Sequence, residues 1–364
     1  MRIGNLARNA VIAALLFAPA TALAADVKVS GLIHFDYYSS DDNNNYTADN
    51  TFIWRRARLA ASGDIVKDFV GYHAMLSMDP TGAYTQDATT KVVTPSADDA
   101  KLIQGWMDLK LHPLATLSAG TWKLPFGIAT PESGAMMLMI MYPEGPSKLI
   151  GELGATAYRS SGIQLKGQGK APVGFGYQIA YVNGKGHITG DNNTDKGYAV
   201  NAWVAPVKGA KIGASYAATD LLDEGLTGTK EASGYAVYGQ FEQGSIHARA
   251  EYQQVEVTTT TSRKPTTWYV QAGYKVTPAI VLKARFQEYD TKETGKKAGF
   301  TSTDLGVDYL LKGKGFAGGT KLSLDYMMRD ADADYSTPQF AEKGLSTKGS
   351  NVDNVIALRW QVAF

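Results

Sequence analysis

One signal recurs along the chain: stretches of about ten residues in which apolar side chains alternate with polar or small ones, the period-2 pattern of a β-strand with two unlike faces. The first spans 27–37, with Val27, Val29, Ile33, Phe35 and Tyr37 in one row and Lys28, Ser30, His34 and Asp36 in the other. The alternation returns at 52–63, 69–78, 102–111, 116–123, 159–166, 173–183, 197–205, 210–218, 233–242, 245–256, 266–275, 280–289, 302–310, 319–329 and 352–364, which predicts about sixteen strands. Helical periodicity is nearly missing.

The connections alternate as well. Long polar segments follow the odd strands (40–50, 79–101, 124–157, 184–196, 219–231, 257–264, 290–298 and 330–351), while those after even strands are mostly tight, as at 64–68, 112–115, 206–209, 243–244 and 277–279. Long loops at one rim and short periplasmic turns at the other, on an even number of strands, predict an all-β transmembrane antiparallel barrel. Aromatic residues such as Tyr181, Tyr198, Tyr216, Trp268, Tyr309 and Trp360 stand in the apolar row, where they suit the two membrane–water girdles. A soluble sandwich or propeller also yields alternating strands, but not that aromatic-rich face. The final strand places Ile356, Leu358, Trp360, Val362 and Phe364 in one row, and a terminal Phe on such a strand resembles the assembly signal of outer-membrane barrels.

Composition adds compartment and exclusions. Arg2 and Arg8 precede an apolar run at 10–17 and then Ala22-Leu23-Ala24, which reads as a secretory signal peptide over 1–24 and leaves 25–364 as one barrel domain. The expected location is the outer membrane of a Gram-negative bacterium, with lipid and lipopolysaccharide as neighbours. Cys is absent, which removes covalent haem and thiolate metal sites, and no cofactor is implied. With Lys+Arg at 36 and Asp+Glu at 35, no bulk charge points to nucleic acid. Asp330-Ala-Asp-Ala-Asp334 and Asp41-Asp-Asn-Asn-Asn45 read as solvated outer loops, open to divalent bridging to lipopolysaccharide rather than built as calcium loops. His73 and His247 could in principle act as bases, yet no Ser, Asp or Glu stands at a spacing that implicates either, so an enzyme is the weaker alternative.

Bilayer energetics then sort the charges, because Lys or Arg on the lipid face near midplane costs about 2–4 kcal/mol. Facing the apolar row outward leaves Lys28, Arg56, Arg58, Lys110, Lys166, Lys211, Arg249, Lys275, Lys283, Arg285, Lys321, Arg329 and Arg359 in the lumen. The lumen acids Asp36, Asp108, Glu251, Asp304, Asp308 and Asp325 are outnumbered by about two to one. Rings of Arg or Lys select anions, so a mildly anion-selective passage is one expectation; pairing of these charges across neighbouring strands is the other. Arg55 falls on the wrong row, which requires either snorkelling at the outer interface or a β-bulge.

Residues 52–59, Phe-Ile-Trp-Arg-Arg-Ala-Arg-Leu, followed by Gly63 and Lys67-Asp68, resemble the second strand and turn of the phosphate-selective porin O and P family. Gly105-Trp-Met-Asp-Leu-Lys110, Ala119-Gly-Thr-Trp-Lys-Leu-Pro-Phe-Gly127, Arg159-Ser-Ser-Gly-Ile-Gln-Leu165 and Tyr181-Val-Asn-Gly184 continue the likeness over the first half of the chain. The resemblance implies a sixteen-stranded homotrimeric porin, a channel for passive diffusion of small hydrophilic solutes, with small anions, phosphate among them, as candidates. It also implies that the loop after the fifth strand, 124–157, folds inward to narrow the pore. By the matching motifs Arg56, Arg58 and Lys123 are the implied anion contacts; Lys110, Arg249, Lys283, Arg285, Lys321, Arg329 and Arg359 join them from the lumen row. The Met136-Met-Leu-Met-Ile-Met141 run inside that loop is expected to pack on the inner wall or in a short helix. A barrel sheathing an electron-transfer partner is a further alternative.

Overall fold

The structure is a computed structural model, and it describes residues 26–40, 51–79, 84–86, 93–95, 100–154, 158–170, 173–184, 194–222, 229–259, 262–292, 298–312, 316, 318–332 and 354–364. The signal segment, the Asp41–Asn45 stretch and residues 333–334 of the second acidic stretch lie outside them.

Sixteen long strands form the barrel: β1 Asp26–Ser40, β2 Thr51–Val66, β3 Val70–Ser77, β4 Lys101–His112, β5 Ala115–Lys123, β6 Arg159–Gly169, β7 Gly174–Asn183 and β8 Lys196–Ala205 make the first half. The second half is β9 Ala210–Leu222, β10 Thr229–Gln243, β11 Ile246–Thr258, β12 Thr266–Lys275, β13 Ile280–Asp290, β14 Gly299–Lys312, β15 Thr320–Ala331 and β16 Val355–Ala363. Each pairs antiparallel with its sequence neighbours, and β1 pairs with β16, which closes the ring. Closure satisfies every strand edge, as a sheet in lipid requires. Two small additions are a two-residue strand, Ser262–Arg263, on β11 and a hairpin of Tyr84–Gln86 with Val93–Pro95.

The seam is bonded down to the last residue: the Phe364 N–H donates to the Gly31 carbonyl (3.2 Å), and the Gly31 N–H returns to the Phe364 carbonyl (2.9 Å). Burial alternates as the two-row pattern demands. Tyr181, Leu282 and Trp360 stand outward at 55%, 51% and 56% exposure, while Asp36, Asp308 and Gln361 point inward at 0%, 0% and 1%. A belt of exposed apolar side chains around a polar interior is the solution that a bilayer selects. Arg55 turns out to be the extra residue of a β-bulge, since His34 pairs with Arg56 and Phe35 with Trp54, so Arg55 and Arg56 both face inward.

The lumen is not empty. After β5 the chain turns inward and runs over the inner wall through residues 124–154, including a 3-10 turn at Gly134–Met136 and helix α1, Glu144–Glu152. Leu124, Phe126, Leu149, Ile150 and Leu153 pack with Trp122 and the small inward residues Ala180, Ala199, Ala217 and Ala236. No helix among the described residues is long and apolar enough to cross a membrane.

Candidate functional site

Residues 124–154 are tied to the wall strand by strand. The Gly127 N–H donates to Ser215 Oγ on β9 (2.7 Å), and the N–H groups of Ile128 and Ala129 donate to the two oxygens of Glu251 on β11 (2.8 and 3.1 Å). Asn201 on β8 holds the Gly127 carbonyl (3.0 Å). On the opposite wall the Ile140 N–H donates to Asp325 on β15 (2.7 Å), and the Glu144 N–H to Gln287 on β13 (2.7 Å).

Four of the predicted lumen cations complete this attachment. Lys321 donates to the Met137 carbonyl (3.2 Å), Lys283 to Leu138 (2.9 Å), Arg359 to Ile140 (2.5 Å) and Arg285 to Met141 (2.8 Å). Each also holds a carboxylate: Lys283 bridges Asp308 and Asp325 (2.6 and 2.8 Å), Lys321 shares Asp308 (2.7 Å), Arg359 takes Asp36 (2.6 Å) and Arg285 takes Asp304 (2.5 Å). The Lys283–Asp325 contact spans a strand at Gly306, where an added Cβ would lie 2.3 Å from Asp325 Oδ1 and 2.8 Å from Lys283 Cε. A bare backbone there lets the pair meet. The methionine-rich run thus leaves the 3-10 turn as a bent, irregular stretch pinned by its carbonyls, with Met137, Leu138, Met139 and Ile140 buried at 3% exposure or less.

The other predicted cations are distributed differently. Lys110 pairs with Asp64 beside a periplasmic turn (2.6 Å), Arg249 with Glu132 of the inward segment (2.7 Å), and Arg329 with Glu144 (3.4 Å) while lying over the Phe300 ring. The two-to-one excess counted along the strands therefore shrinks. Asp64 comes from the periplasmic end of β2, Asp79 from the segment after β3, and Glu132 and Glu144 from the inward segment, outside the lumen row of acids counted along the strands.

What remains is a basic cluster on β2, β5 and β6. Arg58 donates its Nε to Asp79 (2.9 Å), and its terminal nitrogen makes a shorter contact with the same oxygen. Burial works against the Asp79 carboxylate, but Arg58 beside it wins and holds it below the ordinary carboxylate range. Arg56 donates to His34 Nδ1 (3.1 Å) and stands 5.5 Å from the Tyr142 ring centre. Lys123 donates to the Tyr142 hydroxyl (2.9 Å) and to the Glu132 carbonyl, between the rings of Tyr142 and Tyr158 at 4.9 and 5.6 Å. Burial raises the Tyr142 phenol, yet Lys123 and Arg56 outweigh it and pull the group below its usual value. Among the described residues, no carboxylate pairs with Arg56 or Lys123.

Arg159, which the row count passed over, lies directly opposite Lys123 in the β5–β6 register. Its signals along the chain were its place at the head of the Arg159–Leu165 segment and at a strand end. Arg58, Lys123 and Arg159 line a cavity of about 410 Å³ with His73, Gln104 and Trp106, closed on the inner side by Pro131, Ser133 and Gly134. Among the described residues, no acidic side chain lines it. His73 stacks on Trp106 at 4.1 Å, and His247 contacts Glu242 (3.1 Å), so both histidines are partners in wall packing.

The sequence matches the Gram-negative porin family over residues 10–334. Comparison with curated proteins finds no relative. Among solved structures, the chain is similar to OmpT of Vibrio cholerae in a trimer form (15% identity, 93% of this chain and 99% of that one, TM-score 0.64). It is likewise similar to an anion-selective porin from Comamonas acidovorans (12%, 93% and 99%, 0.62) and to the outer membrane channel DcaP of Acinetobacter baumannii (13%, 93% and 97%, 0.57). At these identities the likeness carries the fold. A closed sixteen-stranded barrel with a lipid-facing apolar belt and a polar interior, matched over most of its length, makes this chain a member of the Gram-negative porin family, an outer-membrane channel rather than an enzyme.

Proposed function

We propose that the channel passes small hydrophilic solutes by diffusion with a preference for anions, and that Arg58, Lys123 and Arg159 are the groups a solute meets at the narrow zone. One observation carries this reading: the described lining of the 410 Å³ cavity includes three cations and no carboxylate, and Asp79, which pairs with Arg58, stands outside that lining. A lumen lined by one sign of charge concentrates the opposite ion. Arg56 lies just behind, outside the residues that line the cavity, and adds to the field without facing the path. Lys283, Arg285, Lys321 and Arg359 hold residues 137–141 in place and shape the passage indirectly. In this reading 124–154 is the constriction segment, and it takes up lumen space that a sheathed electron-transfer partner would have to occupy.

Phosphate is proposed as one permeant anion among others, because the cluster presents charge without a closed cradle. A homotrimer set in lipid and lipopolysaccharide is proposed by analogy with the trimer form of the Vibrio cholerae protein. The deciding measurement is the reversal potential of purified channels in a potassium chloride gradient. Anion preference is expected; clear cation preference would overturn the proposal. Phosphate added to chloride should leave conductance ohmic, whereas block at low concentration would indicate a specific site. Cross-linking in mild detergent should give a three-chain species.

A further inference from the structure

A second interior cavity, of about 670 Å³, lies on the other side of Pro131 and Ser133, against β6 to β11 and close to the short turns at the periplasmic rim. Its charges are almost balanced. Lys166 faces Asp108 (3.0 Å), and Arg249 holds Glu132 (2.7 Å) and the Gln240 side-chain Oε1 (2.9 Å). Lys211 differs: its ammonium stands 4.6 Å from the Trp203 ring centre, and no carboxylate pairs with it among the described residues. A lysine over an indole face keeps its charge in place while leaving its N–H donors available.

The surroundings of Lys211 are of two kinds. Gln178 and Gln240 offer amides, and Tyr238 donates to Asn201 Oδ1 (2.7 Å). Trp203 and Tyr238 lie over Gly176 and Gly213, where an added Cβ would come within 2.5 and 2.4 Å of the rings, so the wall stays recessed. Facing them, the inward segment presents the apolar surfaces of Ile128, Pro131 and Met136. One uncompensated cation, neutral amides and an apolar wall are the elements of a ligand pocket that orients a charged head and covers an apolar body.

We infer that this vestibule is a binding site for monoanionic organic solutes with an apolar or aromatic body, with the carboxylate on Lys211 and the body against Trp203, Met136 and Ile128. A single free cation matches one negative charge, and inorganic anions gain nothing from the apolar side. The inference rests on the proposed reading of the barrel as an anion-passing channel, and it adds the class of solute.

Benzoate added on the periplasmic side of single channels in chloride is expected to interrupt the current in a concentration-dependent way. Acetate, which lacks the body, and phosphate, which lacks it and carries more charge, should interrupt at least about tenfold less often at equal concentration. Lys211→Gln should weaken benzoate block about tenfold, as expected for losing a charged hydrogen bond, while Lys211→Arg retains it. Block unchanged in Lys211→Gln, or acetate as effective as benzoate, would overturn the site. Reversal potentials on the same channels separate the two readings. Lysine-dependent benzoate block in a channel without anion preference would retain the site and remove the selectivity proposal; anion preference without benzoate block would do the reverse. A variant that carries chloride current has folded, so loss of block in it reports on the site.

Discussion

Arg58 and Arg56 differ in what surrounds them, and that decides what removing them does. Replacing Arg58 strips Asp79 of its partner and exposes a carboxylate beside the passage. Replacing Arg56 removes charge from behind the wall and leaves His34 without its donor. Arg56→Gln with Arg58→Gln is therefore expected to lower the chloride-to-potassium permeability ratio several-fold, read from reversal potentials; an unchanged ratio would remove both from the mechanism. Glu152, at the end of α1, accepts from Lys230 (2.7 Å) and Arg263 (2.6 Å). Burial pushes this carboxyl up, but the two cations prevail and its value lies below the ordinary glutamate range. A depressed folded-state value contributes stability that is fully present above the unfolded value of about 4.3 and lost as pH falls through the folded one. Thermal unfolding of the wild type should thus shift downward on acidification below about pH 4.3, and Glu152→Gln should flatten that part of the pH dependence.

At the scale of elements, the attachment of residues 137–141 stands out because its donors are themselves ion-paired. Lys283 and Lys321 with Asp308 and Asp325 form a quartet of side chains at 0–3% exposure. Breaking a buried pair by removing one partner costs about 3–5 kcal/mol, since the remaining charge is stranded. Lys283→Met should destabilise the barrel by about that amount in denaturant titration and should speed amide exchange of Leu138 to Met141. The Lys283→Met, Asp325→Leu double substitution should recover part of the loss, because Asp325 is then not left buried without its cation and Asp308 keeps Lys321. Conductance noise should rise in the single variant if the pinned stretch borders the passage, and protection of 138–141 at the wild-type level would show that the Lys283 contact does not hold it.

For the whole molecule, the seam between β1 and β16 is the last pairing a chain in sequence order can make. It carries the cross-strand pair of Asp36 with Arg359 and the double backbone bond between Gly31 and Phe364. Deleting Phe364 removes both backbone bonds, and the folded, heat-resistant fraction recovered from membranes is expected to fall, as seen by gel mobility with and without heating. A variant recovered at wild-type levels would show that the closing residue is dispensable for assembly.

Much of this was legible along the chain because lipid imposes a one-dimensional rule: each strand must turn its apolar row outward, and a slip of one residue would expose a row of cations to hydrocarbon. That rule settled strand number, facing and the inward direction of Arg359, and it reduced Arg55 to two options. Which option holds depended on pairing with β1, where the bulge lies. The sequence by itself therefore determined the barrel and most of the strand charges it encloses. Tertiary structure alone decided how they are used, because pairing is a matter of distance across strands and loops, which a row count does not contain. Lys283, Arg285, Lys321 and Arg359 hold the inward segment, while Arg58, Lys123 and Arg159 border a cavity whose described lining includes no carboxylate, because the loop acid that meets this cluster, Asp79, pairs with Arg58 from outside that lining.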